Sequence, residues 1–111
     1  MRIYVAGPLA NGKVMQNIRE ALKVAELVKA KGHCPFVPHL NFFWQLLFPH
    51  DAEHWLEWDA QWIAVCDAIV CLPGFSPGSE NDLKVALKHG LRVFDSVEEI
   101  PQAEEKKPHG K

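Results

Sequence analysis

Asp67-Ala-Ile-Val-Cys-Leu72, followed at once by Pro73-Gly74-Phe75-Ser76-Pro77-Gly78, is the stretch that decides the fold. An unbroken apolar run after a single acid leaves no polar face, so it reads as a central strand covered on both sides. Such a strand belongs to a parallel sheet whose crossovers are helices. The Pro-Gly loop carries the chain off the sheet, and a helix is expected from about Ser79 to His89, stopping at Gly90.

Working outward, Arg2-Ile-Tyr-Val-Ala6 is a β-branched and aromatic run broken by Gly7-Pro8, a first strand ending in a turn. Asn11-Gly12 adds a second turn signal. Val14, Ile18, Ala21, Leu22, Ala25 and Val28 recur at spacings of three and four, an amphipathic helix closed by Gly32. Phe36-Val37, between Pro35 and Pro38, supplies only a short strand. Leu40 to His50 is rich in aromatics without a period, and the expectation is an irregular loop with at most one helical turn. A helix from Asp51 to about Val65, a last strand at Leu91–Phe94 and a helical turn at Val97–Ile100 complete the pattern. Glu104 to Lys111 reads as a frayed polar tail.

The order β-α-β-α-β-α-β demands right-handed crossovers with helices on both faces. The expected fold is a single α/β three-layer sandwich, Rossmann-like or flavodoxin-like, with a small, mainly parallel sheet of four to five strands. Residues 1–100 form the domain and 101–111 the tail. Ligands of such sheets bind at the carboxyl ends of the strands, which singles out the loops 7–12, 38–50 and 73–78.

Composition narrows the function. The 111 residues allow one domain. Twelve Lys+Arg against fourteen Asp+Glu leave a net charge of −2, with no excess of positive charge for a nucleic-acid backbone. No apolar run approaches the roughly 20 residues that cross a bilayer. Three cysteines without a C-x-x-C fit reduced thiols and a cytoplasmic location.

Two carboxylates stand in unusual places. Asp59 lies four residues after Trp55 and four before Ile63, in the apolar stripe of its helix. A desolvated carboxylate there must be paired, hydrogen-bonded or protonated, and its pKa should rise. It is either an acid catalyst or a structural group held by backbone, Arg2 or Arg92. Asp82 falls in the first turn of the helix after the Pro-Gly loop. Ser79-Glu80-Asn81-Asp82 fits a capping box, and the alternative is an ionised carboxylate facing the crevice. Gly74 to Ser79 could cradle a phosphate or sugar, although it is neither a Walker loop nor a G-x-G-x-x-G. His50-Asp51-Ala52-Glu53-His54 matches a zinc-peptidase pattern in letters only, since no third ligand is placed for it. The aromatic group Phe42, Phe43, Trp44, Phe48, Trp55, Trp58 and Trp62 exceeds what so small a core needs. It lines a pocket or packs against another subunit.

Arg2 to Pro8, Cys66 to Gly74 with Ser76 to Ser79, and Asp82 to Phe94 together resemble the nucleoside 2-deoxyribosyltransferase family, in its short, compact branch. The likeness runs to about Ile100. It implies transfer or hydrolysis at the N-glycosidic bond of (2-deoxy)ribonucleosides or their 5′-monophosphates, with no metal or organic cofactor. The family's nucleophilic carboxylate falls on Asp82, the acid that serves the leaving base on Asp59, and the orienting tyrosine on Tyr4. Gly7, Pro8, Ser76, Gly78 and Ser79 fall on its sugar- or phosphate-binding loops. Phe43, Trp44 and Trp55 would stack on the base, with His39 as a polar contact. Related enzymes complete their pockets from a neighbouring subunit, so a homodimer or higher homo-oligomer is expected.

One departure stands out: Asp82 replaces the family's Glu and is shorter by roughly 1.5 Å. The alternatives are a non-catalytic nucleotide-binding module of the same fold and a phosphoribohydrolase of the cytokinin-activating kind.

Overall fold

The computed structural model describes residues 1–10, 12–74 and 77–104. Its strands are β1 (Arg2–Ala6), β2 (Cys34–Phe36), β3 (Ala68–Cys71) and β4 (Arg92–Phe94). Its helices are α1 (Val14–Ala30), α2 (Asn41–Leu47), α3 (Ala52–Ile63) and α4 (Pro77–Lys88), with single 3-10 turns at Pro38–Leu40 and Val97–Glu99. The Asn11 turn signal, Ser76 and the tail beyond Glu104 lie outside the described residues.

All strand pairs are parallel, in the order β2-β1-β3-β4. The chain steps from β1 to one side and then crosses to the other, so the sheet's switch point lies between β1 and β3. Alternation along β1 divides the core. Ile3 and Val5 join Ala68 and Val70 beneath Ala21 and Val28 of α1. Tyr4, Ala6 and Ile69 face the other way, against Ile63 of α3 and Ala86 of α4. The three-layer α/β sandwich expected from the strand and helix order is therefore the fold, with four strands.

α1 ends as its sequence requires. Gly32 has φ +89°, a conformation that costs other residues a steric penalty, and a Cβ there would stand 2.8 Å from that of Ala103. This turn also receives the end of the domain: Lys31 Nζ donates to the carbonyls of Val97 and Ile100, and Ala103 N to the Lys31 carbonyl.

Three local expectations are corrected. β2 runs from Cys34 to Phe36 and includes Pro35, which is tolerated because β2 is an edge strand bonded only to β1. Leu40 to His50 is not an irregular loop but holds the two-turn helix α2. Its support is tertiary: Gln45 Oε1 accepts from Trp55 Nε1 at 2.6 Å and from His50 N at 2.8 Å. α4 starts at Pro77, so Ser79 sits within the first turn and not at the N-cap, and Asp82 is in the second turn. The helix expected from Asp51 to about Val65 is α3, Ala52–Ile63, and Asp51 caps it, its side chain accepting from His54 N at 2.8 Å.

Candidate functional site

The two-residue period of β1 sends Tyr4 onto the α3–α4 face, fully buried. Phe36 stacks on its ring, and Trp62 stacks on Phe36. The Tyr4 hydroxyl reaches across to α4 and donates to Asp82 Oδ2 at 3.1 Å. Asp59, from α3, is close enough to act electrostatically on the same hydroxyl and on Asp82. Tyr4, Asp59 and Asp82, three separate sequence candidates, thus form one cluster beside the switch point.

Electrostatics sets the two acids apart from ordinary carboxylates. Burial pushes Asp59 up to about 7, the neighbouring Asp82 adds to the rise, and the Tyr4 hydroxyl opposes it. Burial pushes Asp82 up to about 6, against the same hydroxyl. Burial, and then the two carboxylates, hold Tyr4 well above the usual phenol range. Asp82 sits in the second turn of α4, where the helix dipole has faded, and burial dominates its state. No arginine offsets the burial of Asp59: the groups that act on it are Asp82 and Tyr4, and the Arg92 guanidinium lies over Phe94. α3 is also less buried than its apolar stripe implies. Only Ile63 is fully enclosed, while Trp62 is 43% exposed.

Tyr4 has a single hydroxyl proton and cannot donate to both acids. One proton distribution suits the cluster: Asp59 protonated, and Tyr4 donating to ionised Asp82. The order of the pKa values, Asp59 above Asp82, favours that distribution.

Among the described residues, the enclosed side-chain nitrogens and oxygens without a hydrogen-bond partner are His39 Nδ1 and Nε2, Asn41 Nδ2, Asp59 Oδ1 and Asp82 Oδ1. Buried polar groups are normally paired, so each of these four residues carries polar capacity that the fold leaves unused. His39 is 3% exposed. Burial lowers its pKa, while the adjacent Gly7 and Pro8 backbone pulls it up, yet neither ring nitrogen makes a hydrogen bond of acceptable geometry. Asn41 escaped the sequence reading. No local signal marks it, because α2 itself has no readable period; Asn41 and Gln45 are its two polar residues.

The loops after β1 and β3 abut. A Cβ on Gly7 would come within 2.9 Å of Leu72 Cβ, so only glycine permits this approach. Pro8 reaches the neighbourhood of Gly74 from the same side. Gly78 and Ser79 occupy the first turn of α4, and Ser76 is outside the described residues.

Phe43, Trp44 and Trp55 are not gathered around Tyr4. Phe43 meets Phe42 edge-on, and Trp44 packs edge-on against Trp55 and Trp58. The His50 and His54 rings stack 4.1 Å apart and lean on Trp55. These rings bind α2 to α3.

The family described as a domain of unknown function, DUF7768, matches residues 1–95, and the chain belongs to it. No curated protein matches it by sequence. Among solved structures, the chain is similar to a 2-desoxiribosyltransferase from Leishmania mexicana, with a TM-score of 0.62 and 24% identity. The alignment covers 83% of this chain and 61% of that one, so this chain spans about three fifths of its length. At that identity the likeness is one of fold. No helix among the described residues is long and apolar enough to cross a membrane.

Proposed function

We propose that the protein breaks the N-glycosidic bond of nucleosides or nucleotides, as a (2-deoxy)ribosyl transferase or hydrolase, with Asp82 as nucleophile and Asp59 as general acid. The observation that carries this reading is the Tyr4–Asp82 hydrogen bond with Asp59 at the same hydroxyl, each acid keeping one enclosed oxygen unpartnered. A sugar-transferring enzyme of the same fold, named for 2-deoxyribose, supports it.

An Asp82 oxygen attacks C1′ as the bond from C1′ to the base nitrogen breaks. The bond's electron pair stays on the base, which takes the Asp59 proton. Water or a second base then attacks C1′, gives its proton to Asp59, and releases Asp82. Tyr4 holds Asp82 in place and lowers its pKa, so that it is ionised while Asp59 keeps its proton. Gly7, Pro8, Ser76, Gly78 and Ser79 would border the sugar or its 5′-phosphate, with His39 on the base side, Phe43 and Trp44 further out, and no cofactor taking part.

A second reading, a nucleotide-binding module without turnover, rests on the closure around Asp82, which is only 7% exposed, and on its short side chain. The test is incubation with deoxynucleosides, ribonucleosides and their 5′-monophosphates, followed by chromatography for free base. Release that disappears in Asp82→Ala supports the enzyme. Thermal stabilisation by the same compounds without release supports the module, and equal release by both proteins ends the nucleophile assignment.

A further inference from the structure

We infer that His50 and His54 form a two-imidazole site for a borderline divalent transition cation such as Zn²⁺ or Ni²⁺. Their rings lie face to face, with centroids 4.1 Å apart and planes 18° from parallel. His50 is exposed and His54 half-buried. The hydrogen bonds of both residues are made by their backbones, and no ring nitrogen of the pair has a partner among the described residues. An imidazole lone pair lies in the ring plane, so along one edge of the stack two nitrogens point the same way. A shared cation holds each at about 2.0–2.1 Å, which sets them about 3 Å apart for two bonds at a right angle. Rotation about the side-chain bonds alone closes the stack to that spacing.

Both backbones are held before any ligand arrives. Gln45 Oε1 accepts from His50 N at 2.8 Å, and Gln45 Nε2 donates to the His50 carbonyl at 2.9 Å. His54 N donates to Asp51 Oδ1 at the cap of α3. Trp55 stands edge-on to both rings, and Trp58 stacks against His54 at 6.2 Å. Two donors fixed in this way lose little freedom when they bind, so they act as a chelate and not as two independent imidazoles.

The surroundings favour a cation, and the donors select its class. No Lys or Arg occurs from Gly32 to Leu83, whereas Asp51, Glu53 and Glu57 accompany the pair. Asp51 and Glu53 offset the positive end of the α3 dipole, which would otherwise repel a cation. Imidazole nitrogen suits Zn²⁺, Ni²⁺ and Cu²⁺, while Ca²⁺ and Mg²⁺ take oxygen donors. Among the described residues no group of three or more candidate ligands gathers, so water fills the remaining positions. Asp59, five residues after His54, lies about 140° further round the helix, which sets this site apart from the Tyr4–Asp82 cluster. The pair stands where Gln45 ties α2 to α3, so a bound cation braces that junction.

Equilibrium dialysis of the full chain against zinc chloride tests this without reference to any activity. The wild type should take up Zn²⁺ with a dissociation constant below about 1 mM, and excess Mg²⁺ should not displace it. His50→Ala and His54→Ala should each weaken that uptake about 100-fold, because either change leaves a single imidazole. His89→Ala, at an exposed histidine beyond α4, should bind as wild type does. Substoichiometric Ni²⁺ added to the wild type should broaden the imidazole NMR signals of His50 and His54 before any others, which decides the matter if a variant fails to fold. No uptake by the wild type, displacement by Mg²⁺, undiminished binding in His50→Ala or His54→Ala, loss in His89→Ala, or broadening centred on another histidine would overturn the inference.

Discussion

Tyr4 Oη lies 3.1 Å from Asp82 Oδ2, a buried contact between residues 78 apart in the chain. β1 and α4 each fix one partner, so the bond is a product of the whole fold. It also leaves Asp82 Oδ1 unpartnered, and that combination of a held carboxylate with a spare oxygen governs what each substitution should do.

Tyr4→Phe removes the donor and keeps the ring under Phe36. The hydroxyl pulls the Asp82 pKa down, so its loss should raise that pKa and move the acid limb of the base-release profile to higher pH. A hydrogen bond to a charged group contributes about 1.5–3 kcal/mol, so kcat/KM should fall about 10–100-fold. A pH–rate profile of the variant makes the check, and an unmoved acid limb would separate Tyr4 from Asp82.

The local patterns behind this arrangement were readable. A both-faces-apolar Ala68–Cys71 and a period-two Arg2–Ala6 imply the sheet, and the period sends Tyr4 to the face opposite Ile3 and Val5; the register Tyr4↔Ile69 then sets it beside Ile69. Helical spacing put Asp59 among apolar neighbours. Asp82 was harder, because Ser79-Glu80-Asn81-Asp82 imitates a cap; the start of α4 at Pro77 moves Asp82 inward, and that depends on the loop before it. α2 was illegible because a helix apolar on nearly every side has no period, and its support comes from Trp55 and His50 further along the chain. The approach of Asp59 to Asp82 and Tyr4 rests on the packing of α3 against α4, which no local pattern records.

Asp59→Asn should separate acid catalysis from binding. With Asp82 ionised and Asp59 protonated in the active form, base release should follow a narrow bell with limbs near the values about 6 and about 7 that burial gives the pair. Asn cannot supply a proton, so the alkaline limb should vanish and release of ordinary bases should drop by about 10²–10⁴-fold. A 2-deoxyriboside with an activated leaving group needs no proton in the first step, so its first-turnover burst should be released nearly as fast as by wild type, while later turnovers stay slow because Asn cannot take the proton of the attacking water or base. A burst slowed as much as the release of ordinary bases would mean that Asp59 serves another purpose.

Asp82→Asn should exchange activity for stability. The carboxyl titrates at about 6 in the folded protein against an ordinary 3.8. Below about pH 4 folded and unfolded chains both hold the proton; between about 4 and 6 only the folded chain does. The folded state therefore binds more protons there, stability declines as pH rises through that window, and it levels off above. Asn carries no charge to desolvate and can still accept from Tyr4. At about pH 8 the variant should be more stable by about 1–2 kcal/mol, or several degrees in Tm, while base release is lost. Thermal melts across pH should show the two proteins converging below about pH 4; a variant less stable than wild type at neutral pH would contradict the burial penalty.

His39→Leu should act in opposite directions on the free and the ligand-bound protein. Leu removes two enclosed nitrogens that have no hydrogen-bond partner, which relieves a desolvation cost of about 1–3 kcal/mol and should raise the Tm of the free protein. If those nitrogens meet the ligand, nucleoside should stabilise wild type but barely shift the variant, and KM should rise more than kcat falls. Asn41→Leu should repeat the pattern more weakly, having one unpartnered atom where His39 has two. Melting curves with and without nucleoside, for both variants, are the measurement. If ligand raises the Tm of His39→Leu as much as that of wild type, His39 lies outside the binding surface.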